Sequence, residues 1–169
     1  MHTFSRRRRL QITFLKWCAE KNIVCHIYIS VTKRTPLVYF TTKDVKNLSP
    51  STGDVIVYTT LMTSSDVSGY DVTTGKFTAP VHGLYMFSVN SCHNRNWATI
   101  AIVKNNEILI ASSQEESSKQ SCHTVQTIAT LAPGDKVWVN CTGTSKLYNH
   151  WQLWNTFSGA LLQTITPKA

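Results

Sequence analysis

The chain has 169 residues, of which 42% are hydrophobic, which is enough for one domain with an ordinary core. It contains no apolar run of about 18 residues, no Gly-X-Y tract and no repeat at solenoid spacing, so we expect neither a membrane span nor a fibrous or repeat protein. The net charge of +8 is uneven: residues 1–46 hold ten Lys or Arg against two acids, whereas residues 47–169 hold seven of each. Nucleic-acid binding requires a basic face on the fold itself, so this distribution favours a solvated basic head over a nucleic-acid ligand.

Residues 1–35 form this basic head, led by Arg6 to Arg9. RRRR followed by LQITFLKWCA resembles the start of a secretory signal, but Lys16 interrupts the apolar run and no clean small-residue cleavage site follows. A degraded signal and a short amphipathic stretch both fit the sequence. We therefore predict a globular domain over residues 36–169, with residues 1–35 outside it.

From Pro36 onward, hydrophobicity alternates with a period of two. Short runs rich in β-branched and aromatic residues are separated by turn residues, and no convincing helix lies between them. The ten predicted strands are VYFTTK, DVIVYTTL, KFTA, GLYMFSV, WATIAIV, EILIASS, HTVQTIATL, KVWVNC, HWQLW and FSGALLQTI. Parallel sheets need crossover helices, so the pattern predicts an all-β antiparallel sandwich or jelly roll.

Turn residues predict how neighbouring strands connect. Asn105-Asn106 tolerates the positive φ of a two-residue hairpin, and APGD around Pro133 predicts a second hairpin between HTVQTIATL and KVWVNC. The polar stretch QEESSKQ, residues 114–120, is predicted to be an exposed loop.

The stretch YDVTTGKFTAPVHGLYMFSV contains two turns close together, with Gly75 and Gly83 where the chain reverses. This predicts that Phe77 lies on a very short strand at the edge of a sheet. The following strand carries large apolar side chains on both faces, so we expect one face to meet the other sheet and the other face to meet a neighbouring subunit.

Three further motifs lie in the same order as in a known family. GYDVTTGKFTAPVHGLYMFSV, VKNNEIL, LAPGDKVWV and NTFSGALL together resemble the complement C1q globular-head domain, over about residues 36–165. The resemblance implies a ten-stranded antiparallel jelly roll of the C1q and tumour-necrosis-factor type, secreted, trimeric and acting by binding. The positions that match the family signature, with structural roles, are Phe77, Gly83, Tyr85, Phe87, Phe157 and Gly159.

Ser-Cys-His occurs twice, at residues 91–93 and 121–123. Adjacent side chains on a strand point to opposite faces, which argues against one metal site built from both Cys and both His. In the jelly roll that the resemblance implies, the two strands are antiparallel neighbours. A disulfide between Cys92 and Cys122 and two unpaired thiols both remain open, while Cys141 is expected to be a small buried residue.

Two segments, CHNRNWA and TSKLYNHWQLW, mix aromatic rings with amides and cations, as sugar- or protein-binding surfaces do. We predict an exposed recognition surface containing Asn94, Arg95, Tyr148 and His150, and interpret Trp97, Trp151 and Trp154 mainly as core or subunit contacts. The N-x-S/T tripeptides at Asn47 and Asn140 are glycosylation candidates if the chain is secreted.

No catalytic motif is present: the S-x-x-K at residues 30–33 lacks its partner motifs, so we predict no enzyme. Some members of the resembled family bind calcium near the trimer apex, but Asp66, Asp71, Glu107 and Asp135 are scattered, and no calcium or other metal site can be assigned. The predicted function is a secreted trimeric recognition protein of innate immunity that binds microbial or cell-surface glycans or proteins. The alternative is a hormone-like or synaptic-organiser ligand of one receptor.

Overall fold

A computed structural model describes residues 36–66, 69–152 and 154–166, and these residues form ten β-strands without a helix. The basic head predicted over residues 1–35 lies outside the described residues. The strands are β1 Tyr39–Val45, β2 Tyr58–Ser64, β3 Tyr70–Asp71, β4 Lys76–Thr78, β5 Gly83–Asn94, β6 Trp97–Lys104, β7 Glu107–Glu115, β8 Gln120–Leu131, β9 Lys136–Cys141 and β10 Thr156–Thr164.

The strands form two five-stranded sheets, and every pairing within them is antiparallel. The first sheet has the order β2-β1-β10-β5-β8 and the second has the order β3-β4-β9-β6-β7. Strands that are distant in sequence are thus neighbours in each sheet, as in a jelly roll. The predicted all-β, ten-stranded antiparallel fold is confirmed.

The core lies between the sheets and is built largely from aromatic rings. Tyr85, Phe87 and Val89 alternate along β5 and are completely buried, because successive strand residues point to opposite faces. Phe77 on β4 packs edge-on against Tyr85 and Phe87, with ring centroids 5.6 and 5.5 Å apart. The ring of Phe157 on β10 stacks on that of Phe87, with centroids 6.1 Å apart, and completes this group of core rings.

Two signature glycines allow strands to approach closely. A Cβ atom on Gly159 would lie 2.6 Å from the ring of Phe40 and 2.7 Å from that of Phe87. Gly83 was expected at a chain reversal, but it begins β5, where a Cβ would contact the Leu161 side chain and lie 2.6 Å from the Gln163 carbonyl oxygen. Its role is therefore close packing of β5 against β10, and Gly75, with φ of 72°, occupies the turn.

Several predicted elements differ from the structure. HWQLW is not a strand: residues 151–152 form a turn, and the tenth strand is instead β3, which pairs with β4. Phe77 does not lie at a sheet edge, because β4 is bracketed by β3 and β9. Strands β7 and β8 extend into QEESSKQ and leave only residues 116–119 as the loop.

The two predicted hairpins have different outcomes. The Asn105-Asn106 turn joins the paired strands β6 and β7, with φ of 46° and 76°. The APGD turn forms, with Gly134 at φ 89° and the Asp135 amide donating to the Ala132 carbonyl oxygen at 3.1 Å. However, β8 and β9 belong to different sheets, so the predicted second hairpin is wrong and the turn connects the two layers.

Candidate recognition surface

Three connecting segments meet at one end of the sandwich. They are residues 95–96 between β5 and β6, residues 116–119 between β7 and β8, and residues 142–155 between β9 and β10. The Arg95 amide donates to the Lys119 carbonyl oxygen at 3.2 Å, and the Lys146 amide donates to the Trp97 carbonyl oxygen at 2.9 Å. We call the surface formed by residues 94–96, 116–120 and 146–152 the apical surface.

A disulfide fixes the two strands that carry part of this surface. Cys92 on β5 lies directly opposite Cys122 on β8, and the structure joins them, with a Cα–Cα distance of 4.0 Å. Two residues further along, Asn94 and Gln120 form the last pair of the same ladder. The cross-link therefore holds the base of the apical surface together.

The Asn155 amide anchors the 142–155 segment. This side chain is 1% exposed. Its Oδ1 accepts from the Cys92 amide at 2.7 Å, and its Nδ2 donates to the Tyr148 carbonyl oxygen and to Asn149 Oδ1, both at 2.9 Å. The Tyr148 amide in turn donates to the Cys92 carbonyl oxygen at 2.8 Å. Tyr148 and His150, the predicted site residues of this segment, thus lie on a stretch of backbone that is hydrogen-bonded to β5 at Tyr148.

The four residues predicted for recognition lie at this end of the molecule. Asn94 and Arg95 are exposed, and Tyr148 and His150 are half-buried. The Tyr148 and His150 rings stack with centroids 5.9 Å apart. The Tyr148 hydroxyl accepts from Gln120 Nε2 at 3.3 Å, which brings the Tyr148 side chain beside the strand pair that carries Asn94.

A groove beside these residues was missed by the sequence analysis. Its volume is about 380 Å³, and its lining residues are Lys43, Asp44, Asn149, His150, Trp151 and Trp154. Lys43 Nζ lies 4.1 Å above the Trp154 ring in a cation–π contact. Lys43 and Asp44 come from the end of β1, more than 100 residues from the rest, and no local pattern marked them.

The tryptophans are less buried than predicted. Trp151 is 74% exposed, Trp97 43% and Trp154 38%, so these three are not core residues of the single chain. The other half of the interpretation, contact with neighbouring subunits, stays a prediction. Trp151 lies next to His150, with centroids 5.6 Å apart. The groove thus combines exposed ring faces with an amide and a carboxylate, groups that stack on apolar surfaces and hydrogen-bond hydroxyls.

Two of the four carboxylates considered for calcium, Asp71 and Asp135, have protein partners. Hydrogen bonds from the Thr73 hydroxyl and amide, and from Thr74, lower the pKa of Asp71 to about 2. Asp135 accepts from Asn105 Nδ2 at 2.8 Å and pairs with Lys104 at 3.1 Å. Among the described residues, no three His, Cys, Asp or Glu side chains gather as metal ligands.

The two N-x-S/T tripeptides lie in contrasting surroundings. Asn47 is exposed in the loop after β1, and its Oδ1 accepts from the Ser49 amide at 3.0 Å. Asn140 lies within β9, bridged on one side by Val55 and paired on the other with Ala101. Its Oδ1 accepts from Trp138 Nε1 at 3.2 Å.

An apolar row crosses the outer face of the first sheet. Cross-strand pairs align Tyr39 with Ala160, Ala160 with Met86, and Met86 with Ile128. Met86 is 37% and Ile128 58% exposed. We call these four residues the apolar row.

Comparison with known families identifies the domain. The C1q domain model matches residues 38–162, which is most of the chain. The chain belongs to the C1q domain family. Within the described ranges, the C1q domain has no helix long and apolar enough to cross a bilayer.

Two curated relatives share part of this C1q domain. Mouse complement C1q tumor necrosis factor-related protein 6 is 35% identical over 72 residues, 41% of this chain and 27% of that protein. Mouse complement C1q tumor necrosis factor-related protein 3 is 30% identical over 96 residues, 55% of this chain and 39% of that protein. The matched segments thus span well under half of either relative's length.

Solved structures share the fold at low identity. The globular domain of zebrafish complement 1qA protein has a TM-score of 0.61 at 16% identity, covering 75% of this chain and 98% of that one. Eiger TNF from S. frugiperda has a TM-score of 0.58 at 12% identity, covering 80% and 98%. These similarities establish a C1q and TNF jelly roll.

Proposed function

We propose that this protein is a secreted, non-catalytic, trimeric recognition protein whose apical surface and adjoining groove bind microbial or cell-surface glycans or proteins. The observation that carries the proposal is the groove, in which the exposed Trp151 and Trp154 rings stand beside Asn149, His150 and Asp44. Exposed indole rings next to hydrogen-bonding groups suit a ligand with an apolar face and a hydroxyl edge, which is the chemistry of a pyranose.

The trimer is supported by the apolar row. A row of apolar side chains across a sheet face is unfavourable in water, and its burial against a second copy would remove that cost. The family to which the chain belongs supplies the expectation that three copies close around an axis. A trimer also presents three apical surfaces together, which raises avidity for a repetitive surface without any new contact.

Secretion is supported by the disulfide and by family membership. Disulfides persist in oxidising surroundings outside the cytosol, and the Cys92–Cys122 bond lies at the base of the apical surface. Innate immune recognition then follows if the ligands are microbial.

A receptor ligand is the second candidate. The curated relatives are named tumor necrosis factor-related proteins, and murine APRIL shares the fold with a TM-score of 0.58 at 12% identity. In this case the same apical surface would contact one protein receptor and would ignore polysaccharides.

The test compares binding to glycan arrays and intact bacteria with binding to animal cells. We expect the wild type to bind glycans, a Trp151→Ala variant to lose at least about tenfold in affinity, equivalent to about 1.4 kcal/mol, and a Trp97→Ala control to keep wild-type binding. Unchanged glycan binding after replacing Asn94, Arg95, Tyr148 and His150 together with Ala would remove these four from the site. Binding to one saturable cell-surface protein, with none to glycans, would establish the receptor alternative instead.

A further inference from the structure

A small polar pocket interrupts the apolar core beneath the apical surface. It consists of Ser91 and His93 on β5 and His123 on β8, which share the inward face because Ser91 pairs with His123 and His93 pairs with Ser121. Ser91 and His93 are each 1% exposed. The two imidazole rings lie with centroids 6.0 Å apart. We call these three residues the histidine pocket.

The polar atoms of the histidine pocket lack hydrogen-bond partners within the described part of the chain. Ser91 Oγ, His93 Nδ1 and both ring nitrogens of His123 are buried and unpaired. A buried polar atom without a partner is unfavourable, because the hydrogen bonds it made to water in the unfolded chain are not replaced.

No charge faces the pocket from the elements packed around it. The inward positions are Ser121 and Val125 on β8, Ala98 and Ile100 on β6, and Leu147 from the connecting segment. On β7, the residues paired with Ala98 and Ile100 are the exposed Gln114 and the half-buried Ser112. None of these is ionisable. The charged residues of the same elements stand at the rim, where Arg95, Glu115, Lys119 and Lys146 are exposed, and the Glu116 carboxylate accepts from the Ser118 amide and hydroxyl.

Protonation of this pocket is therefore unfavourable in the closed structure. Burial lowers the pKa of His123, and the neighbouring His93 lowers it further. A positive charge on His123 would have no counter-ion in the pocket, because the facing side chains are neutral. At neutral pH the His123 ring is uncharged and the packing is undisturbed.

The connecting segment is held on β5 by hydrogen bonds and packing, including the Asn155 bonds described above, and not by a covalent cross-link. Its Leu147 forms an isolated bridge with His93, and its Tyr148 amide donates to Cys92, the residue next to His93. β5 and β8 cannot separate, because the Cys92–Cys122 bond joins them. His123 is half-buried, whereas His93 is 1% exposed and bridged by Leu147, so lifting of the 146–149 segment from the end of β5 would open the His93 side of the pocket to water.

We propose that the histidine pocket is a pH-sensitive latch, which holds the 146–149 segment on β5 at neutral pH and releases it in mildly acidic surroundings. The release would displace Tyr148 and disturb the neighbouring His150, so ligand binding would weaken at acid pH. This consequence for binding rests on the function proposed above, whereas the latch itself does not.

The direction follows from proton linkage. His123 has a lower pKa in the closed form than in an open form, whose imidazole titrates near its ordinary value of about 6.5. The open form therefore takes up a proton first. The stability of the closed form is constant above about pH 6.5 and falls as the pH drops below it, until the closed form also becomes protonated.

The test is amide hydrogen exchange of the full chain at pH 7.5 and 5.0, corrected for the intrinsic pH dependence of exchange. We expect protection of the Leu147 and Tyr148 amides to fall several-fold at pH 5.0, because the His123 pKa is lower in the closed form than in the open form, while Val139 in the core strand β9 keeps its protection. His123→Gln, which cannot be protonated, should remove the pH response. The matched control His82→Gln, immediately before the start of β5, should keep the pH response. If His123→Gln folds poorly, His93→Phe replaces it, and the pH response should become smaller because the neighbouring imidazole that helps lower the His123 pKa is gone.

Equal protection at both pH values in the wild type would overturn the latch, as would a His123→Gln variant that responds like the wild type. Ligand binding is measured separately on the same samples. Loss of protection at pH 5.0 without glycan or receptor binding at any pH would leave the latch standing and refute the proposed function. Ligand binding together with equal amide protection at both pH values would refute the latch and leave the proposed function standing.

Discussion

Gly159 illustrates how a single residue sets the distance between layers of the core. Its Cα faces the rings of Phe40 and Phe87, and there is no space between them for a methyl group. The motif NTFSGALL, which resembles the closing strand of the C1q family, marked this position in the sequence. Only the structure identifies the two rings that require a glycine here. The constraint is packing and not backbone conformation, since Gly159 is not among the residues with positive φ.

Replacing Gly159 with Ala should destabilise the fold by about 1–3 kcal/mol, because overpacking forces buried rings from their positions. The measurement is chemical denaturation followed by circular dichroism. Gly143→Ala is the matched control: its Cβ would meet only the Thr99 side chain, at 3.2 Å or more, so we expect a change within about 0.5 kcal/mol. Equal effects of the two changes would contradict this account.

Asn155 matters at the same scale, because one amide satisfies groups on two segments. Asn155→Ala leaves the Cys92 amide without its acceptor, and we expect a loss of about 1–3 kcal/mol in unfolding free energy. Tyr148 and Asn149 would lose their donor as well, so ligand binding should weaken together with thermal stability. The control for stability is Asn96→Ala, whose side chain bonds only the adjacent Trp97 amide and whose removal should leave the unfolding free energy nearly unchanged.

At the scale of the element, strands with a long regular alternation of side chains could be predicted, and strands defined by their partners could not. β5 was predictable because Tyr85, Phe87 and Val89 recur at every second position directly after a turn. HWQLW was not, because its aromatic rings belong to a surface groove, and periodicity alone does not distinguish a ring in the core from a ring beside it. The two-residue β3 forms only because β4 lies next to it.

Turn residues likewise determine where the chain reverses, but not which sheet the following strand joins. Pro133 and Gly134 specify the local geometry of APGD, which is the same whether the flanking strands pair with each other or enter different sheets. Sheet membership is decided by long-range packing, here β8 against β5 and β9 against β4 and β6. The same limit explains why Asn94, Arg95, Tyr148 and His150 were found from local composition while Lys43 and Asp44 were not.

The placement of the two N-x-S/T tripeptides on different elements leads to a clear expectation. In a secretory host, Asn47→Gln should abolish a glycan-dependent mass shift, because Asn47 lies in an exposed loop. Asn140→Gln should leave the shift intact, since Asn140 is enclosed by strand pairing and bonded to Trp138. Mass spectrometry before and after glycosidase treatment checks this. A glycan on Asn140 would mean that β9 is open when the modifying enzyme acts.

At the scale of the whole molecule, the apolar row predicts the assembly. Ile128→Asp places a charge within a face that we propose is buried between copies, so sedimentation at micromolar concentration should show monomers in place of trimers. Ile108→Asp is a matched control, because Ile108 is 57% exposed and lies on β7 of the second sheet. A wild-type monomer, or a trimer that survives Ile128→Asp, would exclude this face as the interface.

The pairing of β1 with β10 also determines how the chain can be circularly permuted. The Leu161 amide donates to the Val38 carbonyl oxygen at 2.8 Å, so the first and last described strands begin and end side by side in the middle of a sheet. A short linker could join the end of β10, after Thr164, to the start of β1, before Tyr39, and new ends could be opened within residues 116–119 without cutting a strand. Such a circular permutant would keep every ladder of the sandwich, and would move the point of attachment for a fused partner from one pole of the jelly roll to the other.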